Sequence, residues 1–205
     1  MPIVVAEPLE TLAVESLPRK TWTRAELKLL ESTGVFDGQH YELIEGELIN
    51  KMGKSRPHVV GVRRAARALE AVFGEEYVER EAPVDVAPGD NPRNEPELDV
   101  FVLRRPFSAY TSNPQPGDVI VAMEASGTTL LHDRTTKARL YARAGIPEYW
   151  VLDLAGRRLL VFREPGETGY GVQLSFSEFE SVCPLERPTH LVPVASLLPP
   201  SASAL

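Results

Sequence analysis

The amino-acid sequence predicts a single α/β domain, and three features carry that expectation. Two runs, Leu98 to Leu103 and Val119 to Ala125, have the length and the branched apolar composition of strands buried on both faces. Between Val59 and Phe73 the apolar positions Val59, Val62, Ala66, Leu69 and Phe73 recur every three or four residues, as on one stripe of an amphipathic helix. The chain has 205 residues, 43% of them hydrophobic, which fills one core well and divides poorly into two. The expected organisation is a loose arm over residues 1–20, one domain over 21–198 and a Pro- and Ser-rich tail over 199–205.

Taken in order, Thr23 followed by Glu26 has the capping-box spacing and starts a helix that ends near Gly34. Tyr41 to Ile49 reads as two short extended pieces hinged at Glu45-Gly46. The amphipathic stripe follows Pro57 and is closed by Gly74. Val84 to Val86 is a short strand candidate, and Pro88-Gly89-Asp90-Asn91-Pro92 has the chemistry of a loop. The buried strands 98–103 and 119–125 flank a polar loop with three prolines. Asp133 to Ala144 favours a helix capped by Asp133, stopped by Gly145 and blocked by Pro147. Glu148 to Leu154 and Arg157 to Phe162 read as strands joined at Ala155-Gly156, with a further strand around Gly171 to Phe176.

Composition narrows the function classes. The single cysteine, Cys183, excludes an internal disulfide and a multi-cysteine zinc site, and points to a reducing compartment, the cytoplasm by default. The opening residues hold Glu7, Glu10 and Glu15 and no basic region before an apolar core, so no signal peptide is expected. No apolar run approaches the roughly 18 residues that would span a bilayer, so no membrane partner is expected. A net charge of −7 argues against a broad basic surface for duplex nucleic acid. It leaves room for a nuclease, because a metal-dependent phosphodiesterase gathers carboxylates around its metal and needs only a local basic rim. Candidates for that rim are Lys51, Lys54 and Arg56, then Arg63, Arg64 and Arg67, then Arg104 and Arg105, each also readable as a solvated face.

One constellation carries chemistry. Asp99 lies on one apolar strand, Glu124 ends the next, and Lys137 lies on the following helix. A carboxylate on a buried strand is costly unless something compensates it. Two such oxygens suit a hard cation such as Mg²⁺, which would activate a water and stabilise charge on a phosphate. Lys137 would add a fixed positive charge near the reacting oxygens. Spacing alone leaves open a bland alternative, in which both carboxylates sit at strand ends, exposed or paired, and Lys137 is solvated.

A resemblance weights that choice. Tyr41-Glu42-Leu43-Ile44-Glu45-Gly46-Glu47-Leu48 is similar to the "YELIDGEL" signature of Uma2-like (DUF820) proteins, and His58 falls where they carry a histidine before a helix. Asp99-Val100-Phe101-Val102 resembles their "PDVAV", and Glu124-Ala125-Ser126 their "EVLS". Asp133, Lys137 and Tyr141 match their "D-x-x-x-K-x-x-x-Y", and Gly145 to Asp153 looks like "GVPEYWLVD". The likeness runs from about Thr21 to Leu198 in the family's order.

Membership of this branch of the PD-(D/E)XK superfamily implies a restriction-endonuclease-like core with a mixed central sheet flanked by helices. It also implies Mg²⁺- or Mn²⁺-dependent hydrolysis of nucleic acid, DNA first, by a homodimer. By the same resemblance Asp99 and Glu124 hold the metal, and Lys137 replaces the lysine expected where Ser126 stands. Leu98 and Gly127 depart from prolines of the family pattern. Among Glu42, Glu45 and Glu47, Glu42 matches the family pattern best and is a candidate further acidic group, with a structural or surface role as the alternative. On a strand Glu42 and Ile44 point to one face and Leu43 and Glu45 to the other, so not all three glutamates can reach a metal. His58 could contact phosphate or orient water, or simply cap or pack at its helix. Tyr141, one turn beyond Lys137, and Trp150 read as packing residues.

Other chemistries lack support. Gly53-Lys54-Ser55 has Leu48 where a phosphate loop needs glycine. No glycine spacing fits a dinucleotide loop, no serine sits in a nucleophile elbow, and no pair among His40, His58, His132 and His190 has zinc-ligand spacing.

Overall fold

The computed structural model describes residues 18–51 and 55–201. Residues 1–17 of the expected arm, Lys54 of the expected basic rim and residues 202–205 of the expected tail lie outside the described residues.

The fold begins with helix α1 (Arg24–Ser32), opened by the expected capping box between Thr23 and Glu26. Strands β1 (Tyr41–Ile44) and β2 (Glu47–Asn50) form an antiparallel hairpin. Its turn residues Glu45 and Gly46 both take positive φ, 52° and 79°, as a twist-matched two-residue turn requires. Helix α2 (Arg56–Phe73) follows, with Ser55 as its cap and Gly74 at its end. Strands β3 (Val78–Pro83), β4 (Glu97–Leu103) and β5 (Val119–Ser126) come next.

A helical stretch then runs through α3 (Leu130–His132), a π-helical turn over Asp133–Lys137 and α4 (Ala138–Arg143). Strands β6 (Glu148–Asp153), β7 (Arg158–Gly166) and β8 (Gly169–Ser177) complete the main sheet. The small pair β9 (Ser181–Val182) and β10 (Val192–Pro193) and helix α5 (Val194–Leu197) close the fold.

The central sheet has the order β3-β4-β5-β6-β7-β8. Only β5 and β6 pair in parallel, and the helical stretch α3 to α4 makes the crossover between them. The architecture is thus a mixed six-stranded sheet with helices on both faces. Alternation along each strand divides the core. Val100, Met123, Trp150 and Leu152 face α2 and α5, whereas Phe101, Ala122, Tyr149 and Val151 face α4 and the β1-β2 hairpin. No helix among the described residues is long and apolar enough to cross a membrane.

Two sequence expectations need correction. The strand before β4 is Val78–Pro83, not Val84 to Val86. Its sequence Val-Glu-Arg-Glu-Ala-Pro hides it, because an edge strand packs on one neighbour only and tolerates charge. The helix around Lys137 starts at Leu130, and Asp133 is not its cap. Asp133 instead lies in the π-helical turn, with its carboxylate accepting hydrogen bonds from Ser126 Oγ and Thr129 Oγ1, each at 2.6 Å.

Candidate active site

Asp99 and Glu124 meet because β4 and β5 pair antiparallel with Val100 opposite Met123 and then stop pairing. One step further that register sets Asp99 opposite Glu124 on the face shared by Phe101 and Ala122. The backbone ladder is replaced there by a side chain, since Ala125 N donates to Asp99 Oδ2 at 2.8 Å. The β3-β4 ladder also skips Asp99, whose neighbour Glu81 takes a left-handed φ of 52°. Such backbone is uncommon for a residue with a side chain and tends to gather at functional sites.

Lys137 arrives from the π-helical turn, an arrangement frequent at functional sites. Its Nζ lies 2.8 Å from Glu124 Oε1 and 2.8 Å from Glu42 Oε1. Glu42 is brought in by the hairpin and held by Glu97 N, which donates to the same Oε1 at 2.9 Å. Tyr141, buried one turn beyond Lys137, points its hydroxyl at Glu124 Oε1 across 3.4 Å and packs edge-on against Tyr149.

His58 lies in the first turn of α2, which approaches the sheet closely at Gly61, where a Cβ would stand 3.0 Å from Leu154. Its Nδ1 is 2.8 Å from the carbonyl oxygen of Ala125 and its Nε2 is 3.5 Å from Asp99 Oδ1. Since a carbonyl only accepts, Nδ1 carries the proton and Nε2 turns toward Asp99. All five residues singled out in the sequence therefore converge.

The electrostatics follow from crowding. Burial pushes the Glu124 carboxyl up, and Asp99, Asp133 and Glu42 add to that push against the pull of Lys137, so it stands well above the usual carboxylate range. Burial alone would lower Lys137, but Glu124, Glu42 and Asp133 outweigh it and hold the ammonium charged. Asp99 is also burdened by burial, yet His58 and the Ala125 N–H hold it below its ordinary value. One buried lysine thus faces several buried carboxylates.

Among the described residues no three His, Cys, Asp or Glu side chains form a ready-made metal cage. A Mg²⁺-like ion does not need one, because it takes one or two carboxylates and fills its shell with water and substrate phosphate. The donors present fit that demand. The hydrogen bonds to Glu42 and Glu124 fall on Oε1 and the one to Asp99 falls on Oδ2. The second oxygen of Asp99, Oδ1, faces His58 Nε2 at 3.5 Å, and the excess of buried carboxylates over the one ammonium group of Lys137 favours a cation.

Sequence reasoning missed two parts of the site. Lys51 was visible only as a member of a basic cluster, yet its Nζ lies 2.8 Å from Glu97 Oε2, beside Glu42. Asp133 was legible by its spacing from Lys137, but not its bond to Ser126, which anchors the turn that aims the lysine.

The family profile Uma2, described as "Putative restriction endonuclease", matches residues 25–191. Among solved structures, one similar chain is the crystal structure of "a putative nuclease belonging to DUF820" from Anabaena variabilis. The two share 15% identity and a TM-score of 0.55 over 77% of this chain and 88% of the other, which is a likeness of fold. No curated protein matches in sequence.

Proposed function

The chain belongs to the Uma2 family of restriction-endonuclease-like nucleases, and from that premise we propose that it is a divalent-metal-dependent endonuclease acting on nucleic acid phosphodiesters, DNA first. The observation that carries this reading is the trio Glu42, Asp99 and Glu124, gathered and anchored beside the buried ammonium of Lys137. Asp99 and Glu124 would hold Mg²⁺ or Mn²⁺, with Glu42 close enough to assist. The ion would supply a Lewis acid for the phosphate and lower the pKa of a bound water.

The chain's own residues do the rest. Lys137 keeps Glu42 and Glu124 in place, its buried ammonium offsetting part of their charge. Ala125 N fixes the Asp99 carboxylate and its carbonyl fixes the His58 ring, so one peptide segment sets both groups. The Tyr141 hydroxyl braces Glu124. A homodimer that presents two such sites to a duplex belongs to the same proposal, and sedimentation of the full chain reads it.

The test is cleavage of supercoiled and single-stranded DNA in Mg²⁺ and Mn²⁺ by the wild type beside Asp99→Ala and Lys137→Ala. Metal-dependent cutting that both substitutions abolish supports the reading. A folded wild type that neither cuts nor binds metal overturns it in favour of a non-catalytic binding protein built on the nuclease fold.

A further inference from the structure

Among the described residues two lysines, Lys137 and Lys51, are bonded to glutamates of this region, and they differ in what they are free to do. Lys137 is locked between Glu42 and Glu124 with 5% of its side chain exposed. Moving its ammonium to a substrate would strand two buried carboxylates, a costly exchange. Lys51 stands where β2 ends, its backbone N–H bonded to His40 O at 2.8 Å. Its side chain is 21% exposed and holds Glu97, itself 38% exposed, at 2.8 Å. A partly exposed pair of this kind is exchanged at less cost than the fully buried one at Lys137. Glu97 is also the residue whose backbone N–H anchors Glu42.

We propose that Lys51, not Lys137, is the lysine that touches the substrate, with its ammonium leaving Glu97 to bind the phosphate beside the cleaved bond. This rests on the nuclease reading above. Lys137 is then a positioning residue that holds Glu42 and Glu124 in register. The electrostatic environment agrees. Burial pulls Lys51 down, but Glu42, the bond to Glu97 and the field of Glu124 outweigh it, so the ammonium is held charged. An incoming phosphate supplies the negative charge that Glu97 gives up, and a lysine serves it as a compact point charge.

The test uses the full chain and a defined DNA duplex, comparing wild type with Lys51→Gln and Lys51→Arg. Duplex affinity is measured across a salt series in Ca²⁺, cleavage kinetics in Mg²⁺ and metal affinity by Mn²⁺ calorimetry. Loss of one phosphate contact makes the log-log salt slope of Lys51→Gln shallower by about 1. Its kcat/KM falls at least about tenfold, as for removal of one charge-stabilising donor, Lys51→Arg recovers most of the loss, and Mn²⁺ affinity is unchanged.

A Lys51→Gln chain with wild-type slope and kinetics overturns the proposal while the nuclease reading stands. So does a fall in Mn²⁺ affinity parallel to the loss of cutting, which would make Lys51 a prop for the carboxylates. A wild type that neither binds nor cuts the duplex removes the nuclease reading and this proposal together.

Discussion

Lys137 Nζ stands 2.8 Å from both Glu42 Oε1 and Glu124 Oε1, so a helix, a hairpin and the central sheet meet at one ammonium group. The lysine is buried and its partners are buried with it. That triad is a structural commitment as well as a chemical one.

Replacing the lysine alone leaves two buried carboxylates without their counter-charge. Lys137→Met is expected to cost about 3–5 kcal/mol, the usual result of breaking a buried pair from one side. Urea unfolding reads the loss, and adding Glu124→Gln to the same chain recovers part of it because one stranded charge is gone. A single variant as stable as the wild type would mean that the triad carries no weight in the fold.

Glu148 is a further buried carboxylate on which the fold depends. It accepts from Trp150 Nε1 at 3.0 Å, from Arg163 Nη2 at 2.6 Å and from Leu185 N at 2.7 Å. Glu148→Ala orphans a guanidinium and an indole N–H, for an expected loss of about 3–5 kcal/mol. The emission of Trp150 shifts in the same variant, whereas Mn²⁺ affinity stays at the wild-type value because the network lies away from Asp99.

Acid should loosen the attachment of α1. Arg24 at the start of that helix bonds Asp85 Oδ1 at 2.6 Å. Burial pushes Asp85 up, but Arg24 and Gln115 outweigh it and hold the carboxyl below its ordinary value. A depressed carboxyl gives stability that is fully present above the unfolded value of about 3.9 and is lost as pH falls through the folded value. Asp85→Asn is therefore less stable than wild type at neutral pH, and the two converge in acid. Chemical denaturation at several pH values reads the convergence, and parallel curves would refute it.

Much of this was legible in the sequence, and the exceptions have physical causes. The capping box at Thr23 and Glu26, the hairpin turn at Glu45-Gly46 and the apolar strands of Asp99 and Glu124 are local signals, and the structure carries them. Strand β3 was missed because its charged residues are permitted only by its place at the sheet edge, which no local pattern reveals. The π-helical turn was missed because it depends on Asp133 reaching Ser126 on another element. The Lys51–Glu97 pair joins residues far apart in sequence and leaves no spacing signature.

The most direct measurement of the central claim is a calorimetric titration of the metal-free chain with Mn²⁺, run beside Asp99→Asn and Glu124→Gln. The account predicts saturable binding by the wild type that each substitution removes while the fold persists by circular dichroism. Binding that survives both substitutions, or its absence from a folded wild type, would contradict the assignment of Asp99 and Glu124 as the metal-holding pair.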